Sequence, residues 1–495
     1  MHAGESGPET GALRTVTGML PRVVRAPQAD PTSADPGPLE LAFTAIRAEH
    51  KLSPDYPQPA LGEAEKAATA TPLPDRDETA VPFFTIDPPG STDLDQAMYL
   101  ERTGDGYRVR YAIADVAAYV APGGALDQET RARGETVYLP DMRVPLHPTL
   151  LSEDAASLLP DQVRGAYIWD IELDASGDVR DAQVYLARVR STARLDYDGV
   201  QQQVGADAPE GLRLLKEIGE LRIALQRKRG GADLPMPEQE VHQDEDGSYR
   251  LQFRPPVPSE DWNAQISLLA GMCAASMMIE AKVGILRTMP APPQDAIGTF
   301  RRRAEALGIT WPQGEAYGEF IASLDRTDPK HLALIHDATS LFRGAGYTPF
   351  DGEVPAETEQ AAVAAPYAHV TAPLRRLVDR FGLAICEAVS RGAAPPDWAR
   401  QALPTLPDIM RSRDQVASAV GHACDDAVEA AVLSTRVGES FEAVVVAKND
   451  KGIQVQLRDI AVLASCPGNA APGEVVHVVL VATDVGAHTV TFRLG

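Results

Sequence analysis

The chain has 495 residues, and 46 Lys+Arg against 70 Asp+Glu leave a formal charge of −24 at pH 7. At one domain per roughly 100–200 residues the length accommodates about three domains, and 44% hydrophobic with 23% charged residues describes an ordinary globular chain. The acidity excludes a broad basic surface that coats nucleic acid through net charge alone, though not a local basic groove.

Residues 1–80 are rich in Pro, Gly, Ala and acidic residues and only patchily apolar. They read as an extension with little structure or as a small helical, helix-turn-helix-like module. One helix is predicted over Pro38–Lys51, where Leu39, Phe43 and Ile46 share a face, and a second over Leu61–Ala68. The Pro/Asp/Ser stretches around 26–37 and 70–78 read as linkers.

From Val81 the character changes. Val81–Ile86 is rich in strand formers, Pro88-Pro89-Gly90-Ser91-Thr92 makes a turn, and Asp93–Leu100 can return as a strand. Gly104-Asp105-Gly106 punctuates a third strand over Tyr107–Ile113, alternating at Tyr107, Val109 and Tyr111. Residues 126–200 read as short strands and turns. Helices then dominate to about 433, predicted at Gly211–Lys228, Trp262–Ala281, Thr299–Leu307, Pro373–Ser390 and Arg411–Leu433. The end returns to strands at Phe441–Lys448, Gly452–Leu457, Ala461–Cys466, Glu474–Asp484 and His488–Leu494, a run that suits a small OB-type barrel. The implied division is 1–80, 81–435 and 436–495.

Cys273, Cys386, Cys424 and Cys466 lie far apart with no CxxC pair, which argues against a disulfide framework or zinc ribbon and fits a reducing cytoplasm. The N-terminus lacks the apolar run of a signal peptide. The longest apolar stretch, Ile266–Ile279, is 14 residues against the about 20 of a membrane span, and reads as a buried core helix. No membrane association is expected.

The most informative segment is Asp87-Pro88-Pro89-Gly90-Ser91-Thr92-Asp93-Leu94-Asp95-Gln96. Asp87 ends one strand and a tight turn brings Asp93 and Asp95 back beside it. Residues i and i+2 of a strand face one side, so those two carboxylates converge. Crowded carboxylates repel unless protonated or bridged by a cation, and Mg²⁺ is the natural one: hard, octahedral, held by few carboxylates plus phosphate oxygens. Asp, Pro, Gly and Ser are also turn formers, so spacing alone leaves a metal site and an ordinary acidic turn both open.

The surroundings carry a resemblance. TIDPPGSTDLDQA (85–97), YAIADVAAYV (111–120), VYLPDMRVPLHPTLLSEDAASLLP (137–160), STARLDYDGVQ (191–201), SLLAGMCAA (267–275) and YAHVTAPLRRLVDR (367–380) are similar, in order, to the ribonuclease II/ribonuclease R (RNB) family. The resemblance runs over residues 80–495 and implies an α+β RNB-type catalytic domain followed by a C-terminal five-stranded OB-fold RNA-binding barrel. It implies Mg²⁺-dependent hydrolytic 3′→5′ exoribonuclease action on single-stranded RNA, releasing 5′-mononucleotides, with Mn²⁺ as a substitute metal.

By the same resemblance Asp87, Asp93 and Asp95 match the first three acids of the family's D-x5-D-x-D-D motif, with Asp95 tied most closely to chemistry. Gln96 stands where the family has a fourth acid; its amide adds no charge, which puts a second metal position in question. Arg375 falls on the catalytic arginine, with Arg376 beside it as a second RNA contact. Pro373 would be the first helical residue, and Ala372 replaces a capping serine. Read from spacing, the same arginines fit a solvated helix face paired with Asp379. Tyr138 matches the tyrosine that packs on the 3′-terminal nucleotide, a sequence-tolerant contact; without the family it is a half-buried strand tyrosine. Asp115 is expected to be structural, and His369 receives no role.

Other departures follow. Asn263, Ala264 and Gln265 stand where the family commonly carries two glutamates, and the usual pair of N-terminal cold-shock barrels does not fit into residues 1–80. In the C-terminal barrel only Phe441 and Phe492 are aromatic, with Lys448 and Lys451 as candidate RNA contacts beside Arg458. Arg301-Arg302-Arg303 reads as a solvated helix face. The expected partner is single-stranded RNA and the expected state a monomer. Two other functions stay open: an RNA-binding protein that keeps the scaffold with weak or lost catalysis because of Gln96, and a metal-dependent endonuclease.

Overall fold

The computed structural model describes residues 24–25, 37–205, 207–232, 234, 236, 238–243, 249–254 and 256–495. Its centre is a closed barrel of five strands: β1 (Phe83–Ile86), β2 (Gln96–Thr103), β3 (Gly106–Ala114), β4 (Val163–Leu173) and β5 (Val179–Leu195). Neighbours run antiparallel except at the closure, where β1 lies parallel to β5. The alternation seen in the sequence is borne out on β3, where Tyr107, Val109 and Tyr111 are all buried. Ala112 and Ala114 are buried too, facing a second cluster with Ala97, Ala166 and Ala187, so β3 is covered on both sides. Small residues on one face and large ones on the other let a narrow barrel fill without voids.

The region 126–200 differs from the expected short strands, because β4 and β5 are 11 and 17 residues long. It also opens with a helix that has no local start signal. That helix, Ala125–Arg133, has Gly124 at its N-cap, and its free N–H groups at Ala125 and Leu126 donate to Glu63 at 2.9 and 2.8 Å. The cap comes from a different element, which periodicity cannot register.

Helices pack around the barrel: α1 (Pro38–Glu49), α2 (Gln58–Ala70), α3 (Ala125–Arg133), α4 (Glu210–Arg229), α5 (Pro258–Ala281), α6 (Leu377–Ser390) and α7 (Leu406–Leu433). By length and composition α5 could cross a membrane, but it packs against α4 and α6, with Ile266, Leu269, Ala270, Ala274 and Met278 in the core. Gly271 permits the closest approach, since a Cβ there would lie 2.2 Å from the ring of Tyr367.

The reading of residues 1–80 as little-structured fails for 38–70. Leu39, Phe43 and Ile46 are buried as a stripe, and α1 lies on α7 while α2 lies on α3. Val24–Arg25 pairs with Tyr249–Arg254, so the N-terminal segment is joined to the main body by a strand ladder. The linker expected at 26–36 lies outside the described residues.

The C-terminal strands β6 (Ser440–Asn449), β7 (Gly452–Leu457), β8 (Leu463–Cys466), β9 (Val475–Asp484) and β10 (Thr489–Leu494) form one antiparallel sheet in the order β8-β7-β6-β9-β10. Its edges β8 and β10 approach each other, so the sheet curls into a nearly closed barrel around Phe441, Val445, Val455, Val478 and Phe492. The outer face is partly covered. Leu332, on the helix Pro329–Ala338, packs with Val444 and Val446, and His336 Nε2 lies 2.9 Å from Gln456 Oε1.

Candidate active site

β1 ends at Ile86, and the chain turns through Gly90, whose φ of +84° suits glycine, before re-entering the barrel at Gln96. Ser157 fixes that turn: its hydroxyl accepts from the Leu94 N–H at 2.9 Å and donates to the Thr92 carbonyl at 2.7 Å. The strand expected from Asp93 starts only at Gln96, so Asp93 and Asp95 lie on the irregular segment that leads into it, on either side of the fully buried Leu94.

Each carboxylate has its own environment. Asp95 is 4% exposed; its Oδ1 accepts the Leu374 N–H at 2.7 Å, and its Oδ2 lies 3.7 Å from Arg375 Nε. Burial pushes its pKa well above the ordinary value, against the pull of Arg375 and the Leu374 N–H. Asp87 is pushed up to about 7, first by burial and then by the charge of Asp93, while Arg375 and Arg194 oppose. Asp93 is the paired member: Arg143 donates to it at 2.7 Å and the Tyr138 hydroxyl at 3.2 Å. Arg143 also donates to Thr92 Oγ1 and pairs with Glu153 at 2.8 Å, locking the outer wall of the turn.

The arginine segment departs from the expected helix start. α6 begins at Leu377, not Pro373, and Arg376 is extended at φ −139°, ψ 121°. The reason is a set of tertiary bonds that separate a single turn over 372–376 from the helix that starts at Leu377. Leu374 N–H goes to Asp95, Thr136 N–H to the Arg375 carbonyl and Leu377 N–H to the Gly134 carbonyl. Ala372 heads only that isolated turn, its carbonyl accepting from the Arg375 and Arg376 N–H groups, while the helix itself is capped at Arg376; the Ala372 N–H is taken at 2.7 Å by Asp379.

The two arginines separate. Arg375 keeps 47% of its side chain exposed and faces the acids, while Arg376 grips the buried Asp379 with bonds of 2.6 and 2.7 Å. The ion pair with Asp379 that spacing allowed belongs to Arg376, whose side chain also lines the cavity beside the acids. Tyr138, expected half-buried if it were a strand tyrosine, is 51% exposed beside Asp93.

Gln96 is turned away from the carboxylates. Its Nε2 donates to the Thr371 carbonyl at 2.7 Å, and its Oε1 accepts from the Tyr111 hydroxyl and, at 3.3 Å, from Ser267 Oγ. Asp115 caps a short helical turn through the Ala118 N–H, as a structural acid should. Lys448 and Lys451 lie at the β6–β7 turn of the C-terminal barrel, away from this cluster, and Lys448 binds Asn469.

Beside the acids a cavity of about 150 Å³ is lined by Glu135, Tyr138, Arg287, Tyr347, His369 and Arg375, among others. The Tyr347 hydroxyl is 2.7 Å from His369 Nδ1, and burial with the nearby arginines keeps that imidazole neutral. Arg143, Arg287 and Tyr347 were not singled out from the sequence. Arg143 had a signal, since it pairs across a two-residue ladder with Tyr138.

Among the described residues no group of three or more His, Cys, Asp or Glu side chains is gathered closely enough to enclose a metal. The donor chemistry nonetheless fits a hard divalent ion. Asp87 has no side-chain hydrogen bond or ion pair among the described residues, and its repulsion with Asp93 is the kind a cation relieves. An open half-shell of carboxylates is what Mg²⁺ prefers, because it retains water and phosphate oxygens.

Comparisons with known proteins bear on the family and the fold. The RNB domain family matches residues 75–388, and the RNase II-type exonuclease C-terminal S1 domain matches 439–495. Ribonuclease R of Escherichia coli is 30% identical over 318 residues, covering 60% of this chain and 38% of that protein. The probable exosome complex exonuclease RRP44 of Caenorhabditis elegans is 28% identical over 329 residues, covering 62% of this chain and 34% of that protein. The matches thus span about a third of the length of these relatives. The structure of Mycoplasma genitalium RNase R in complex with ribose-methylated single-stranded RNA has the same fold, with a TM-score of 0.81 at 20% identity over 92% of this chain and 77% of that one.

Proposed function

This chain belongs to the RNB family, and from that we propose that it is a hydrolytic exoribonuclease that shortens single-stranded RNA 3′→5′ to 5′-mononucleotides, with Mg²⁺ or Mn²⁺ as cofactor. The observation that carries the reading is the bond between Asp95 and the Leu374 N–H, which joins segments 279 positions apart and sets Arg375 against the acids. A cation held by Asp87, Asp93 and Asp95 would supply Lewis-acid charge and an activated water. Arg375, anchored through its backbone and half exposed at its guanidinium, is suited to hold phosphate oxygens and to balance charge as the bond breaks. Tyr138 offers an exposed ring for the terminal base, and its bond to Asp93 fixes where that ring stands. The enzyme would act as a monomer in a reducing cytoplasm, where the four buried cysteines remain thiols.

Single-stranded RNA labelled at its 5′ end and incubated with Mg²⁺ or with EDTA tests this. Progressive shortening and mononucleotides with Mg²⁺, lost in Asp95→Asn, are expected. Internal fragments would make the protein an endonuclease. Intact but retarded RNA would favour the second reading, a binding protein with lost catalysis, which the absence of a fourth carboxylate at Gln96 supports.

A further inference from the structure

Buried arginines in this chain are normally matched by a carboxylate. Arg380, 1% exposed, has Asp127, and Arg376 has Asp379. Arg222 is the exception. It lies on α4 with 3% of its surface exposed, and among the described residues its polar contacts are the Gly177 carbonyl at 2.9 Å and the Met272 sulfur at 3.8 Å. Its Nε has no hydrogen-bond partner among the described residues. Two helical turns on, Arg229 reaches the same sulfur at 3.8 Å and the Val363 carbonyl at 3.5 Å, again without a carboxylate. A guanidinium removed from water without a counter-charge is costly, and a second one beside it adds repulsion. Burial and the charge of Arg229 together lower the Arg222 pKa to about 10.

Both arginines line a cavity of about 680 Å³ that shares no residue with the acid and arginine site. Met272 and Met277 give it an apolar wall, Ser276 a hydroxyl, and Asp178 and Glu280 acceptors. We propose that this cavity is a second ligand site, for a phosphate monoester of nucleotide size whose phosphate is bound by Arg222 and Arg229. Asp178 acts on both arginines only at a distance, without a bond to either; a phosphate would supply a bonded counter-charge, and planar guanidinium groups match its oxygens two at a time. The volume exceeds a bare anion and falls in the range of pockets for small organic ligands, roughly 300–1,000 Å³. Asp178 and Glu280 suit the hydroxyls of a sugar. The site stands whether or not the acids cleave RNA.

The test is calorimetric titration of the full chain in EDTA with adenosine 5′-monophosphate, ribose 5-phosphate and inorganic phosphate. Saturable binding of either organic phosphate is expected, retained in Arg375→Ala and weakened at least tenfold in Arg229→Gln. The partly exposed Arg229 makes that variant safe for folding, and an unchanged melting temperature without ligand verifies it. A nucleotide preference over ribose 5-phosphate would assign the base to the methionine wall, and equal affinity would assign the sugar phosphate alone; either supports the site. Three results overturn it: no saturable binding, binding lost in Arg375→Ala but not in Arg229→Gln, or inorganic phosphate binding as tightly as the esters.

Discussion

Gln96→Leu distinguishes a metal ligand from a strut. In the structure the amide joins three groups: the Tyr111 hydroxyl, Ser267 Oγ and the Thr371 carbonyl. Leucine fills much of the same volume and makes none of these bonds. Tyr111 and Ser267 retain each other at 2.7 Å, so the groups stranded are the Thr371 carbonyl and one hydroxyl proton. Thr371 is 4% exposed and Tyr111 fully buried, which leaves water little access to replace the amide. At about 1–3 kcal/mol for each buried polar group left unpaired, the loss of stability for the two should be about 2–6 kcal/mol. Thr371 lies four residues before Arg375, so loosening it should also lower kcat. Urea denaturation gives the stability, single-turnover degradation of labelled RNA gives the rate, and titration with Mn²⁺ gives the metal affinity, expected to be unchanged. A tenfold loss of Mn²⁺ affinity with stability altered by less than about 0.5 kcal/mol, the range of an uninvolved surface residue, would refute the argument and make Gln96 a ligand.

Arg375→Ala and Arg376→Ala should part company. The first removes a half-exposed side chain and should abolish turnover with little change in urea midpoint, whereas the second strands the buried Asp379 and should cost about 3–5 kcal/mol. Equal destabilisation by both would contradict the division. Arg143→Ala should free Asp93 and the turn, raising KM for Mg²⁺ more than KM for RNA, as steady-state assays at varied metal would reveal. Glu429 on α7 is buried, and its pKa is raised from 4.5 to about 8 by that burial, against bonds from Gln239 and the Leu463 N–H. The folded state holds this proton more tightly than the unfolded chain, so its stabilising contribution is full below pH 4.5 and is lost as pH rises toward about 8. Both donors meet Oε1, so Glu429→Gln preserves them and should flatten the decline of stability across that window by up to about 1.4 kcal/mol per pH unit. Parallel stability–pH curves for variant and wild type would contradict the assignment.

What the sequence made legible follows from the range of the interactions. The five C-terminal strands, α4, α5 and α7 came from local periodicity and turn residues, and their bounds moved by a few residues at most except at the starts of α5 and α7. Asp87, Asp93 and Asp95 were legible because a strand, a glycine turn and a strand lie within ten positions. Arg375 was legible by family resemblance, but its posture was not. The N–H groups of Leu374, Ala372 and Leu377 go to Asp95, Asp379 and Gly134, and only the second of these is near in sequence. The α3 cap supplied by Glu63 and the burial of Gln96 are hidden for the same reason: each is decided by a partner that periodicity does not contain.

The charge of −24 takes its meaning from placement. Taken as a total it made nucleic acid look improbable, yet much of the positive charge is already committed inside the fold, as Arg376 is to Asp379 and Arg380 to Asp127. At the site the lining is mixed: Arg287 and Arg375 stand in the cavity with Glu135, next to three aspartates of which Asp93 has a full ion pair. A strand of phosphates would meet net repulsion there unless the carboxylates are first neutralised. Asp87 and Asp95, which both feel the charge of Asp93, are the places where a bound cation would supply that neutralisation. Under the proposed function, metal and RNA should therefore bind with positive coupling. RNA titrated into the Arg375→Ala variant, in which turnover should be abolished while all three carboxylates remain, should show affinity that rises with Mg²⁺. Affinity indifferent to Mg²⁺ at constant ionic strength would mean that the acids do not face the RNA.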